Sequence, residues 1–246
     1  MTTQNSPRFR IGIGAALPTI ASIAVCVGAV DARAATSLDS KRTYLHTSSA
    51  DSSLNAIPIA LAPLGLFPGD RIQIEALGDF DNGPQGDEFK RMVGVFSSSD
   101  VLLPANQLHR VPGALEAGVD FVTAPTYFGG EATDIPEDFL VASAEYPGGT
   151  ICVVIPNGAT HLFLAAHDSL YEDNSDPDGD FGYELTLLDA CVADFDGSGS
   201  VDGGDLGVLL GGWGALSEIG GAGDLDCDGD VDGADLGLLL AAWGPC

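Results

Sequence analysis

The stretch Asp194-Phe-Asp-Gly-Ser-Gly-Ser-Val-Asp-Gly-Gly-Asp205 returns thirty residues later as Asp224-Leu-Asp-Cys-Asp-Gly-Asp-Val-Asp-Gly-Ala-Asp235. Each twelve-residue copy places oxygen-bearing side chains at positions 1, 3, 5, 9 and 12, glycine at 6 (Gly199, Gly229) and valine at 8 (Val201, Val231). Carboxylates this crowded repel one another unless a cation sits between them. Each copy runs into a Leu-rich segment that ends in Trp-Gly, at Trp213 and Trp243.

The spacing is that of an EF-hand-type calcium loop. It assigns Asp194, Asp196, Ser198, Ser200, Asp202 and Asp205 to the first site, and Asp224, Asp226, Asp228, Asp230, Asp232 and Asp235 to the second. The expected cofactor is Ca2+. After the loops, Leu206, Leu209, Leu210 and Trp213 fall at i, i+3, i+4 and i+7, and Leu236, Leu239, Leu240 and Trp243 repeat the pattern. This predicts two short helices whose apolar stripes form a core. Glycines at 207, 211, 212 and 237 weaken a helix by up to about 1 kcal/mol each. The helices are therefore expected to depend on calcium and on each other.

The 246 residues carry a formal charge of −27, and no Lys or Arg follows Arg110. Such a surface repels phosphate backbones, which excludes nucleic acid as a partner. Arg8 and Arg10 precede an apolar run over 11–30 and then Ala32-Arg33-Ala34. This reads as a signal peptide over 1–34, cut after Ala34; the alternative is an uncleaved anchor. No other segment could span a bilayer, so the expected location is secreted, extracellular or cell-surface. Export suits disulfides. Cys152, Cys191, Cys227 and Cys246 allow three pairings. A Cys191–Cys246 bridge would clasp the two ends of the repeat. Cys152 lies in an apolar run and reads as a buried free thiol, and Cys227 stays unassigned.

Residues 35–50 are Ser/Thr-rich and read as a loose leader. Over 51–190 the pattern is β: Ile72-Gln-Ile-Glu-Ala-Leu alternates, and Val93-Gly-Val-Phe, Ile151-Cys-Val-Val-Ile, Leu162-Phe-Leu-Ala-Ala and Tyr183-Glu-Leu-Thr-Leu are strand-like. Pro-Gly, Asn-Gly and Asp-Gly turns separate them. The fold class expected is all-β. It comprises an antiparallel β-sandwich or jelly roll, followed over 191–246 by a small α module with two calcium loops.

Duplicated ligand loops, each with one following helix and no preceding one, make residues 191–246 resemble a type I dockerin, in the form of planctomycete-type tails. That resemblance implies attachment to a cohesin-like or cell-surface protein. Dockerins often hold Ser-Thr before the last ligand; here the residues are Gly203-Gly204 and Gly233-Ala234. The body offers a second resemblance. Pro68-Gly-Asp-Arg-Ile-Gln-Ile, Ala76-Leu-Gly and Gly83-Pro-Gln-Gly-Asp87 run like the start of the LecA-type bacterial galactose lectin. Ile155-Pro-Asn-Gly-Ala-Thr-His-Leu-Phe-Leu-Ala-Ala-His-Asp168 and Asp173-Asn-Ser175 run like its end. The family is a jelly roll in which one calcium ion holds both protein and sugar hydroxyls. The resemblance implies Asp168, Asp173 and Asn174 as side-chain ligands, with backbone carbonyls near Asn82 and Tyr171, and a glycan as partner. Glu88-Phe-Lys-Arg stands where the family places its galactose-contacting His and Gln. Asp176, Asp178 and Asp180 alternate like the opening of a further loop but lack its later glycine and acid.

Catalysis needs a poised group and a partner. His46, His109, His161 and His167 show no zinc spacing, and no Gly-x-Ser-x-Gly elbow occurs. Glu137-Asp138 is the best candidate acid pair, yet neighbours on a strand point to opposite faces. The reading is a non-enzymatic, secreted calcium-binding protein: a carbohydrate-binding or adhesive domain with an attachment module. The alternatives are a structural cell-surface protein and a polysaccharide hydrolase.

Overall fold

The computed structural model describes residues 35–83, 87–89, 91–117, 135–142, 149–188, 191–215, 223–227 and 229–246. The segment read as a signal, and Asp228, lie outside the described residues. In the body the strands are β1 (Thr36–Ser37), β2 (Arg42–Thr43), β3 (Leu54–Asn55), β4 (Ile59–Ala60), β5 (Arg71–Leu77), β6 (Phe80–Asn82) and β7 (Asp87–Phe89). They continue as β8 (Met92–Ser97), β9 (Ala114–Leu115), β10 (Phe139–Ala142), β11 (Thr150–Val154), β12 (His161–Ala166), β13 (Asn174–Ser175) and β14 (Gly182–Leu187). The tail holds β15 (Ser200–Val201), α1 (Gly203–Gly211), β16 (Gly214–Ala215), β17 (Asp230–Val231), α2 (Gly233–Ala241) and β18 (Gly244–Pro245). The protein is thus mostly β with two short helices.

Two antiparallel sheets dominate. One has the order β1-β14-β5-β11, the other β10-β8-β12-β4, with β9 added beside β8. β5 alternates as its sequence predicts: Ile72, Ile74 and Ala76 are buried and the residues between them are not. These side chains share a core with Ile151 and Val153 of β11, Leu185 of β14, Met92 and Phe96 of β8, and Leu162 and Leu164 of β12. Burying this apolar area is the main stabilising term, at about 25 cal/mol per Å². β8 is buried at every position. Its other face, with Val93, Val95, Phe163 and Ala165, packs against Tyr44, Leu45, Val111 and Ile135. A strand covered on both faces reads as a continuous apolar run.

That second layer corrects the reading of 35–50 as a loose leader. Thr36 and Ser37 pair with Tyr183 and Gly182. Tyr44 is fully buried. Arg110, also fully buried, donates from Nη1 to the carbonyls of Thr43 and Leu45, from Nε to that of Leu103 and from Nη2 to Asn55 Oδ1. The guanidinium thereby satisfies backbone acceptors that a chain lying over a sheet face would otherwise leave unpaired.

One cysteine differs from expectation. Cys152 is not a free thiol: it is bonded to Cys227, with Cα atoms 5.2 Å apart. Cys191 and Cys246 form the second bridge, at 5.7 Å. The first bridge joins β11 of the body to the second repeat loop; the second closes the tail on itself.

The Leu/Trp stripes are only partly a core. Leu209 and Leu239 are fully buried, with Val201, Val231, Ala193 and Leu225 around them, and Leu206 and Leu236 pack alongside. Leu210, Trp213, Leu240 and Trp243 are about half exposed. Each helix has nine residues and ends before its Trp, so the i+7 position falls outside the helical turn that set the stripe. Among the described residues no helix is long and apolar enough to cross a membrane.

Candidate cation sites

The two repeat loops fold alike because their sequences place the same acceptors at the same steps. In the first, Asp194 accepts from the Ser198 and Gly199 amides at 3.0 and 2.8 Å. Asp205, fully buried, accepts from Phe195 at 2.7 Å, Asp196 at 3.3 Å and Asp202 at 2.8 Å. Asp202 in turn accepts from Gly204 at 2.7 Å, and Asp202 and Asp205 form a reciprocal capping box at the start of α1. In the second loop Asp235 takes Leu225, Asp226 and Asp232, and Asp232 takes Ala234. The loop glycines are needed where they stand: Gly199 and Gly229 have φ of 84° and 95°, conformations that side chains avoid.

The hydrogen-bonded carboxylates also converge. One carboxylate oxygen from each of Asp194, Asp196 and Asp205 lies within 4.8 Å of the others, and so do oxygens of Asp224, Asp226 and Asp235. A further trio joins Asp230 and Asp232 to Asp235. Of the assigned set, Ser198 turns its hydroxyl to the Ser200 carbonyl at 3.1 Å. Burial works to raise the Asp205 carboxyl, but the amides of Asp202, Asp196 and Phe195 outweigh it and hold it below the usual range. A charged carboxylate at a helix start also suits the helix dipole. An all-oxygen donor set of this kind fits a hard divalent cation.

In the body, chain topology gathers the other assigned residues. β13 pairs with β6 so that Asn174 faces Asn82 and Ser175 faces Asp81. Asn82 donates from Nδ2 to Asp168 Oδ1 at 3.1 Å, and the Ser169 amide donates to the same carboxylate. Asn174 is fully buried and donates from Nδ2 to the Ser40 carbonyl at 3.0 Å. Two acceptors are left over: Asp168 Oδ2 and Asn174 Oδ1 are buried with no hydrogen-bond partner among the described residues. Burial raises the Asp168 carboxyl and the charge of Asp173 adds to this, against the Ser169 amide. Asp173 also reaches Gly83, where an added Cβ would stand 3.0 Å from its Oδ2. Buried orphan oxygens call for a partner, and an oxygen-seeking cation would supply one. The sequence did not single out Asp81 (one oxygen also buried without a partner), Asp51, which accepts from the Tyr171 amide at 3.1 Å, or the carbonyl of Ser40. Only pairing across the fold brings these together.

The other candidates lie elsewhere among the described residues. Asp176 spends its carboxylate on the amides of Gly179, Asp180 and Phe181, although it converges with Asp178 and Asp180. Glu137 sits on a turn, and the neighbouring Asp138 is buried beside Tyr44. His161 bonds Thr160 through Nδ1. His167 is mostly buried, and its imidazole is pushed down to about 4 by burial and by Arg91. Set beside known families, curated proteins and solved structures, the chain matches none of them.

Proposed function

We propose that this is an exported calcium-binding protein in which a jelly-roll sandwich with a lectin-like cation site is carried on a dockerin-like, EF-hand-type attachment module. The observation that carries the reading is the pair of buried acceptors, Asp168 Oδ2 and Asn174 Oδ1, left without a partner beside Asn82. A carbohydrate-binding site of this kind needs an ion that can accept sugar hydroxyls as well as protein oxygens, and calcium, with six to eight ligand positions, supplies that chemistry when bound. The protein's part is to fix Asp168 through Asn82 and Ser169 and to keep Asn174 in place through Ser40.

In the tail, Asp194, Asp196, Asp202 and Asp205 would hold one ion and Asp224, Asp226, Asp232 and Asp235 another, with Ser198, Ser200, Asp228 and Asp230 completing the loops. The ion cancels charge that otherwise drives the loops apart, and α1 and α2 can then pack through Leu209 and Leu239. The exposed Leu210, Trp213, Leu240 and Trp243 give the module an apolar face for a cohesin-like or cell-surface partner. The same face favours a second reading, a structural cell-surface protein that binds no glycan.

A glycan array probed with the full exported chain, in millimolar calcium and in chelator, separates the two. The first reading expects glycan retention that chelator abolishes and that Asp168→Ala removes without loss of fold. Calcium-dependent association with a cell surface and no retained glycan would replace it with the second. No response to calcium in either assay would overturn both.

A further inference from the structure

The fourth position of each loop adopts the same left-handed turn, with φ of 67° at Gly197 and 67° at Cys227. Glycine takes this turn at no steric cost, whereas a cysteine there is strained. What Cys227 gains is reach: it is bonded to Cys152 on β11. Cys152 pairs with Gln73 of β5, and Val154 pairs with Arg71 at the start of that strand. The bridge therefore sets the second loop against the end of the sheet where Arg71 stands. Arg71 Nη2 lies 3.8 Å from Cys227 Sγ, and its Nε is buried without a hydrogen-bond partner among the described residues. Burial lowers the Arg71 guanidinium, and the carboxylates that act against this are Asp224, Asp226 and Asp235, the first, third and twelfth residues of the loop. The first loop has no such neighbour in the described structure. Ligand charge points the other way, since the second loop carries six aspartates and the first carries four. By charge alone the second loop would be the tighter site.

We propose that Arg71 is a resident counter-cation of the second loop. It keeps that loop docked on the sheet when no metal is bound, and it lowers the loop's affinity for a divalent cation so that the first loop fills first. The affinity half rests on the reading of the loops as calcium sites; the docking half does not. Arginine keeps its charge across the accessible pH range, so the device is permanent, and the Cys152–Cys227 bridge fixes its position.

The test uses the full chain with Arg71→Met, which keeps length without charge, and Arg71→Lys, which keeps charge. In chelator, hydrogen exchange reads the amides held by Asp235 (Leu225, Asp226, Asp232) against those held by Asp205 (Phe195, Asp196, Asp202). Arg71→Met is expected to speed exchange of the amides held by Asp235 relative to those held by Asp205 by on the order of tenfold, with Arg71→Lys close to wild type. Equal acceleration at both loops, or none, overturns the docking half. In calorimetry with Ca2+ alone, Arg71→Met is expected to tighten the weaker class of site by on the order of tenfold, and Asp194→Asn to remove the tighter class. Unchanged affinities in Arg71→Met overturn the affinity half. If wild type and both variants all give no heat with Ca2+, the calcium reading of the loops fails along with the affinity half, and the exchange result alone still decides whether Arg71 holds the loop.

Discussion

Asn82 and Asp168, eighty-six residues apart in the chain, are joined by a 3.1 Å hydrogen bond that places the carboxylate beside Asn174. The bond satisfies one oxygen of Asp168 and leaves the other buried and alone. A charged group so placed destabilises the metal-free fold. Asp168→Asn is therefore expected to leave stability in chelator unchanged or raised by about 1 kcal/mol, and to lose this site's share of the calcium-induced gain. That share is about 2.7 kcal/mol when free calcium is a hundredfold above the dissociation constant. Thermal unfolding with and without calcium measures both; an undiminished calcium shift in the variant would remove Asp168 from the ligand set.

The two disulfides predict two different losses. Cys191→Ala with Cys246→Ala frees a closed segment of the tail with a sequence separation of 55 and is expected to cost about 2–4 kcal/mol. Cys152→Ala with Cys227→Ala leaves the tail's own clasp intact but uncouples the second loop from β11. Its expected signature is faster proteolysis between body and tail with little change in the body's unfolding midpoint. Peptide mapping without reductant checks the pairing directly: a linked 152–191 pair would contradict the structure.

His167 predicts a pH dependence. Its folded pKa is about 4 against 6.5 for a free imidazole. Between those values the unfolded chain binds a proton that the folded chain does not, so stability falls as pH is lowered from 6.5 towards 4. The contribution is complete above pH 6.5 and amounts to on the order of 3 kcal/mol. Urea unfolding in chelator at pH 4.5 and pH 7 should show a smaller difference for His167→Gln than for wild type. Equal differences would show that the imidazole titrates normally in the fold.

The helices predict a contrast inside one repeated motif. Leu209→Ala or Leu239→Ala empties a fully buried position and is expected to cost about 2–5 kcal/mol. Trp213→Ala and Trp243→Ala remove half-exposed rings and are expected to cost about 1 kcal/mol or less, while weakening attachment to any partner of the apolar face. Denaturation midpoints of the four variants decide this; a large loss at either Trp would return the ring to the core.

Local chemistry made much of this legible. Alternation in 72–77 specified a strand with one buried face, and the loop spacing placed Asp205 and Asp235 at helix starts, because both signals lie within a dozen residues. Periodicity also marked the Leu/Trp stripes but could not count their neighbours: two nine-residue helices offer cover for Leu209 and Leu239 and not for the rings beyond their ends. The packing of 35–50 was hidden for a different reason. Thr36 finds its partner at Tyr183 and Thr43 finds Arg110, and polar residues that bond over such distances look locally like a loop. The Asp168 cluster was named through resemblance, yet Asp81 joins it only through the pairing of β6 with β13, and Asp51 and the Ser40 carbonyl only through hydrogen bonds from Tyr171 and Asn174. Cys152 looked inert because an apolar strand says nothing about a sulfur arriving from the tail.

The tail strands are exchanged between repeats. β15 of the first loop pairs with β18, which follows α2, and β17 of the second loop pairs with β16, which follows α1. Each copy thus finishes the backbone of its twin, and neither is a unit that could stand alone. A polypeptide bearing one copy would carry two unmatched edges and could close them only by meeting a second such chain in a twofold pair. Fusion of the copies in one chain makes that pairing independent of concentration.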